Sequence, residues 1–198
     1  MQLVDGSHIA IIGGGPAGCF SALNLARFAA ERELKLKITI FEGRDFEKPG
    51  PTGCNKCAGI LSSELVQKMK TVGLEIPQNV IQAELKEYIF HVGDQKVTIQ
   101  QPDPSRRILS VYRGGGPRLG EPPHPHSFDA WLLSQAQQHG ATLLQERVQL
   151  VEKGDKPVVK TARHSLEADL VVLATGVNSR HPLDESWGYT SPQTVTMN

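Results

Sequence analysis

The chain has little of what marks several large classes of protein. Its 198 residues include only three cysteines, Cys19, Cys54 and Cys57, an odd number that cannot close into a full disulfide framework. Neither charge is in excess: 21 Lys and Arg balance 21 Asp and Glu, so the electrostatic footprint of a nucleic-acid binder is missing. Long apolar runs are missing too. The first, residues 9–12, gives way to glycine, which excludes a membrane span of about 20 residues or a signal peptide there, and a cytoplasmic setting is expected. No Ser/His/Asp arrangement has supporting context, since His91, His139 and His164 are scattered. Internal repeats are absent, and the length suits one well-buried domain, with room for a small subdomain but not for two full nucleotide-binding domains.

Glycine is plentiful where it matters. The run His8-Ile9-Ala10-Ile11-Ile12-Gly13-Gly14-Gly15-Pro16-Ala17-Gly18 joins an apolar strand to a helix through a turn of small residues. Such a turn directs free backbone N–H groups of the helix start at a pyrophosphate. Gly13 permits the tight turn, Gly15 leaves room for a phosphate where a Cβ would stand, and Gly18 lets the helix lie close to the strand. Pro16 suits a first-turn position that needs no N–H, with Ala17 beside it. The helix is predicted to run to about Arg32, and Lys35 to Phe41 reads as the next strand. Glu42 then stands at the strand end, placed to accept hydrogen bonds from a ribose, with Gly43 and Arg44 directly after it. An acid there favours a free ribose diol, as in FAD or NAD, over a 2′-phosphate.

Residues 43–59 form a long loop with prolines, glycines and the pair Cys54 and Cys57. A C-x-x-C can be a redox dithiol, half of a zinc site or an inert loop. No second cysteine pair exists, His124 and His126 lie in a proline-rich stretch, and no metal site is expected. Ser62 or Ser63 caps a helix running to about Thr71, where Gly73 stops it. Tyr88–Val92 and Lys96–Ile99, separated by Gly93-Asp94, predict a hairpin that forms either a wall of a substrate pocket or a simple excursion. Arg113 precedes a glycine- and proline-rich surface loop reaching Pro125. Ser127 then caps a helix that ends at Gly140. Strands are predicted over Leu143–Val151 and Pro157–Ala162, and Ala168–Thr175 reads as a buried strand closing in Ala174-Thr175-Gly176.

In this order the features resemble the FAD-binding domain of flavoprotein oxidoreductases of the glutathione-reductase-like superfamily. Within it they are similar to the branch of para-hydroxybenzoate hydroxylase-like monooxygenases and geranylgeranyl reductases. The resemblance rests on Gly13 to Gly18, Glu42, the Cys54 to Gly59 loop, Arg113, the Phe128-Asp129-Ala130-Trp131-Leu132 helix and Leu170 to Arg180. Related hydroxylases carry Asp-Gly where Thr175-Gly176 stands here, and keep an Arg where Arg180 stands.

The resemblance implies an α/β, Rossmann-like FAD-binding domain with a parallel sheet and a small antiparallel β insertion. Residues 1–198 would form that domain, incomplete at its C-terminus, with 80–112 as the insertion. It also implies that Ala58 and Gly59 approach the flavin ring, that Cys57 lines the substrate side as the candidate catalytic side chain, and that Arg113 approaches the pyrophosphate. Backbone groups at Val148 would hold adenine, and Ala174, Thr175 and Gly176 would return the chain to the nucleotide. The superfamily's later Gly-Asp motif does not follow Gly176, so a missing C-terminal segment or a partner chain is expected to complete the site. The expected function is an FAD-dependent oxidoreductase, geranylgeranyl-reductase-like or monooxygenase-like, using reduced flavin for hydride transfer or O₂ activation. NADPH or NADH would be its electron donor and a small molecule or lipid its substrate. The alternatives are an NAD-dependent dehydrogenase and a non-catalytic nucleotide-binding module.

Overall fold

The structure is a computed structural model, and it describes residues 2–46, 48, 59–101, 103, 105–113, 127–176 and 181–190. The elements in order are β1 (His8–Ile12), α1 (Pro16–Ala30), β2 (Lys37–Phe41), β3 (Ile60–Leu61), α2 (Ser63–Thr71), β4 (Ile81–Leu85), β5 (Glu87–Val92), β6 (Gln95–Gln100), β7 (Ile108–Val111), α3 (Phe128–Gln138), β8 (Thr142–Leu144), β9 (Leu150–Glu152), β10 (Val158–Lys160), β11 (Ser165–Glu167) and β12 (Leu170–Leu173). They fall into two compact units: Met1–Asp45 with Leu132–Asn198, and Phe46–Trp131.

The first unit is built on a parallel sheet of order β12-β1-β2-β8. Its central strand β1 is apolar at nearly every position because both of its faces are covered. Ile9 and Ile11 are fully buried, and α1 packs against this sheet. Burying each of those isoleucines contributes about 1.5–3 kcal/mol. Ala10 and Ile12 belong instead to a cluster with Phe41, Val148, Val151, Val159 and Ala168. That cluster lies under the antiparallel meander β9-β10-β11. Trp187 pins the 181–190 segment onto the meander by donating from Nε1 to the Val151 carbonyl at 2.8 Å.

Two strand predictions change. Leu143–Val151 is not one strand: β8 stops at Leu144, residues 145–149 turn away, and β9 begins at Leu150. Three polar residues in succession, Gln145-Glu146-Arg147, break the period-2 pattern that a single strand would need. The Ala168–Thr175 run gives a strand only over Leu170–Leu173, and that strand is half-buried rather than buried. It pairs with β1 on one side and is the outer strand of the sheet among the described residues. Helix α1 stops at Ala30 and β2 starts at Lys37, because the chain between them turns through Glu33 at φ 55 and Lys35 binds Asp5.

In the second unit α2 starts where Ser62 Oγ accepts a hydrogen bond from Leu65 N, with Glu64 in the first turn and Lys68 and Lys70 in the last. It packs on β7, the middle strand of the antiparallel sheet β3-β7-β4. Strands β5 and β6 pair as a separate hairpin joined by Gly93-Asp94, with Gly93 at φ 59. Tyr88, Phe90, Val92, Val97 and Ile99 share one face of it and are all exposed. Ser127 Oγ caps α3 through Ala130 N, and Gly140 at φ 95 follows its end. No helix among the described residues is long and apolar enough to cross a membrane.

Candidate functional site

The glycine turn lies at the C-terminal end of β1, between β2 and β12, and each of its glycines has a separate geometric reason. Gly13 sits at φ +111, and a Cβ there would collide with the Ala174 carbonyl oxygen. A Cβ on Gly14 would lie 2.8 Å from Glu42 Cβ, and one on Gly18 would collide with the Gly13 carbonyl oxygen. These three glycines are therefore required by the protein's own packing. Gly15 differs. A Cβ there would meet nothing within 4 Å, and its φ of −71° and ψ of −176° are open to any residue. Gly15 N-caps α1 without a side-chain hydrogen bond, and no acidic residue occupies the first turn of the helix. The helix thus presents backbone N–H groups, a positive dipole end and clear space to an anion.

Six of the expected nucleotide residues, Gly13, Glu42, Gly43, Arg44, Val148 and Thr175, line one cavity of about 320 Å³ together with Arg147 among others, whereas Gly15, Pro16, Ala17, Gly18, Ala174 and Gly176 are not in its lining. Glu42 is 5% exposed at its floor. Its Oε2 accepts from Gly14 N and Arg44 Nη2, and its Oε1 from Arg44 N and Arg44 Nε, all at 2.9 Å. A carboxylate offers about four lone-pair positions, so Glu42 is saturated. Burial pushes its pKa up, but the Arg44 side-chain bond and the N–H groups of Arg44 and Gly14 outweigh burial and hold it below its usual 4.5.

Of the 145–149 segment the sequence pointed only to Val148; Glu146 and Arg147, which also line the cavity, were not identified from it. Glu146 is buried and accepts from His164 Nδ1 at 2.8 Å, Arg163 Nε at 3.0 Å and Thr161 Oγ1. The bonds from Thr161 and then His164 hold its pKa below the usual range. They tie the segment to the turn after β10 and fix Arg147 and Val148 at the cavity. Gly43 packs tightly here, since a Cβ on it would stand 3.1 Å from Arg147 Cβ and press on that segment. The signal available in the sequence was the polar interruption Gln145-Glu146-Arg147.

Ala174 N–H donates to the Ile12 carbonyl and Gly13 N–H to the Phe41 carbonyl, both at 2.8 Å, so the Ala174-Thr175-Gly176 turn abuts the glycine turn directly. Gly176 at φ +83 has open space around it. Pro16 opens α1, Ala17 is exposed and Gly18 is buried. Cys19, in the same helix, is fully buried and donates to the Gly14 carbonyl.

Gly59 and Arg113 belong to the second unit. Gly59, at φ +64, is held against Val111, whose carbonyl oxygen occupies the place of a Cβ. Arg113 Nε donates to both carboxylate oxygens of Asp129, at 3.2 and 3.1 Å, and Asp129 is 3% exposed. Cys57, Ala58, Cys54 and Arg180 lie outside the described residues. Among the described residues no group of three or more His, Cys, Asp or Glu is placed to hold a metal ion.

Comparison with known proteins agrees on the fold. Solved structures with the same fold include p-nitrophenol 4-monooxygenase from Pseudomonas putida, at 14% identity, TM-score 0.60, covering 90% of this chain and 42% of that one. A tryptophan 6-halogenase from Streptomyces toxytricini shares 13% identity at TM-score 0.59, covering 87% and 44%. A peptidyl tryptophan dihydroxylase essential for tryptophylquinone cofactor biogenesis shares 20% identity at TM-score 0.55, covering 89% and 34%. The chain thus spans less than half the length of each of these structures. Among curated proteins no sequence matches it. The sequence pattern of one family matches residues 7–185, and with it the strand, the glycine turn, Glu42 and the returning Ala174-Thr175-Gly176 turn: the chain belongs to the pyridine nucleotide-disulphide oxidoreductase family.

Proposed function

We propose that the chain is the FAD-binding part of a flavin-dependent oxidoreductase, of the monooxygenase-like or geranylgeranyl-reductase-like kind, acting on a small molecule or lipid. The observation that carries this reading is the contrast among the glycines. Gly13, Gly14 and Gly18 are demanded by neighbouring protein atoms, whereas Gly15 faces clear space at a helix start that lacks its own anionic cap. That combination fits a pyrophosphate. When bound, the flavin supplies two-electron redox chemistry, taking electrons from NADPH or NADH for hydride transfer or reaction with O₂.

The chain's own residues bind and orient. Backbone N–H groups at Ala17 and Gly18 hold phosphate, and Glu42 holds the ribose hydroxyls at the floor of the cavity. Because Glu42 is saturated, the ribose must take the places of Arg44 Nε and Nη2. The Arg44 side chain is 43% exposed and has room to turn outward. Val148 and Arg147 border the adenine end, and Arg147 offers a planar cation for stacking. Cys57, with Ala58 and Gly59, is assigned to the flavin side on the strength of the family resemblance.

The test is reconstitution of the purified chain with FAD. A yellow protein whose flavin absorption bleaches on adding NADPH or dithionite, and in which FAD shields Cys57 from iodoacetamide, supports the reading. A colourless protein that takes up ADP but not FAD overturns it in favour of a nucleotide-binding module.

A further inference from the structure

The second unit holds a cavity of its own, about 290 Å³, between α2, the 74–76 segment and β7. None of the nucleotide-site residues lines it. Ser63, Val66 and Lys70 face it from α2, at spacings that place them on one side of the helix. Val66, Ile76 and Leu109 make its apolar wall, and Leu109 is 1% exposed.

Two features of the lining point to an occupant. First, Ser63 is 8% exposed, and its hydroxyl has no hydrogen-bond partner among the described residues. The cap of α2 is Ser62, so Ser63 is not needed for that task. A buried hydroxyl without a protein partner is uncommon in folded proteins, and its partner here is a water or a ligand in the cavity. Second, Lys70 and Glu75 both line the cavity, yet neither makes an ion pair among the described residues, with the other or with any third group. The remaining cation, Arg107, is already neutralised by Glu84, to which Nε and Nη2 both reach at 3.1 Å. The cavity therefore carries one exposed positive and one exposed negative charge, each outside any ion pair among the described residues and more than an ion-pair distance from the other, beside an apolar wall.

We propose that this cavity binds a small zwitterion with an apolar side chain, an α-amino acid of about the size of leucine or phenylalanine. Its carboxylate faces Lys70, its ammonium faces Glu75, its side chain lies on Val66, Ile76 and Leu109, and Ser63 bonds one of the charged ends. One free carboxylate does not suit a divalent cation. This inference stands apart from the flavin reading, since it uses no residue of the first unit.

The experiment is titration calorimetry of the full chain with L-leucine and L-phenylalanine, and with analogues bearing one charge, 4-methylpentanoate and isoamylamine. Saturable binding of at least one amino acid is expected, with both single-charge analogues of leucine and the variants Lys70→Met and Glu75→Gln at least roughly tenfold weaker. Both residues are exposed, so both variants keep the wild-type melting temperature. Ser63→Ala weakens binding without lowering that temperature, because the fold does not use the hydroxyl. Absence of saturable binding at concentrations on the order of 10 mM overturns the proposal. So do equal affinity for a single-charge analogue, wild-type binding by both charge variants, unchanged binding by Ser63→Ala, and displacement of the amino acid by ADP.

Discussion

Replacing Gly15 by alanine separates nucleotide binding from folding, and the structure supplies the size of both effects. At φ −71° and ψ −176° alanine is unstrained, and its methyl group meets no protein atom within 4 Å. The folded state accepts the change, while the unfolded chain loses freedom, so Gly15→Ala is expected to stabilise by about 0.4–1 kcal/mol. For a chain of this length that is a rise in melting temperature of roughly 1–4 °C. Gly13→Ala is the matched control. It forces alanine to φ +111 and drives a methyl group into the Ala174 carbonyl, which together destabilise by about 3 kcal/mol. Melting should then fall by roughly 6–12 °C. On the proposed reading the Gly15→Ala methyl group occupies the space assigned to phosphate and costs at least one charge-assisted bond from a backbone N–H, so FAD and ADP affinity is expected to fall roughly 10- to 100-fold. Differential scanning calorimetry and flavin fluorescence titration on the same samples read both quantities. If Gly15→Ala binds FAD as tightly as wild type, or melts as low as Gly13→Ala, the reasoning is refuted.

Other expectations follow from the same geometry. Because Glu42 titrates below 4.5, its contribution to stability is complete above about pH 4.5 and is lost as pH falls through its lowered value; melting temperature against pH should be flatter for Glu42→Gln than for wild type across the acid range. Glu146→Gln loosens the hold of Arg163 and His164 on the 145–149 segment, and ADP affinity measured by calorimetry should fall roughly two- to tenfold. Phe90→Lys combined with Val97→Glu places opposite charges on a cross-strand pair of the exposed hairpin face. Solubility should rise, by turbidity at high concentration, with melting temperature unchanged.

The parts of the site that were legible in the sequence are those fixed by local sterics. Gly13, Pro16 and Gly18 announce a strand-to-helix turn because few other residues tolerate it, and Glu42 ends a strand whose apolar run stops at Phe41. The hairpin was equally readable, since Gly93-Asp94 divides two β-rich runs. The convergence of distant segments was not readable. That Glu146 turns Arg147 and Val148 toward the cavity depends on Thr161, Arg163 and His164, partners supplied by another strand connection. The half-exposed state of Leu170–Leu173 follows from its position in the sheet, which its apolar composition could not reveal.

The pairing of β1 with β12 has a consequence for how the protein is made. His8 N donates to Asp169 Oδ2 across 161 residues of chain, and the whole register from Ile9 to Ile12 waits for Leu170 to Leu173. At translation rates of about 5–20 residues per second, β1 leaves the ribosome roughly 10–30 seconds before its second neighbour exists. Throughout that interval Ile9 and Ile11 belong to a strand with one open edge, and Ala174 is not yet there to close the turn at Gly13. On the proposed reading nucleotide stabilises the domain only once β12 has joined β1, so its supply should govern the lifetime of the folded protein rather than its rate of folding.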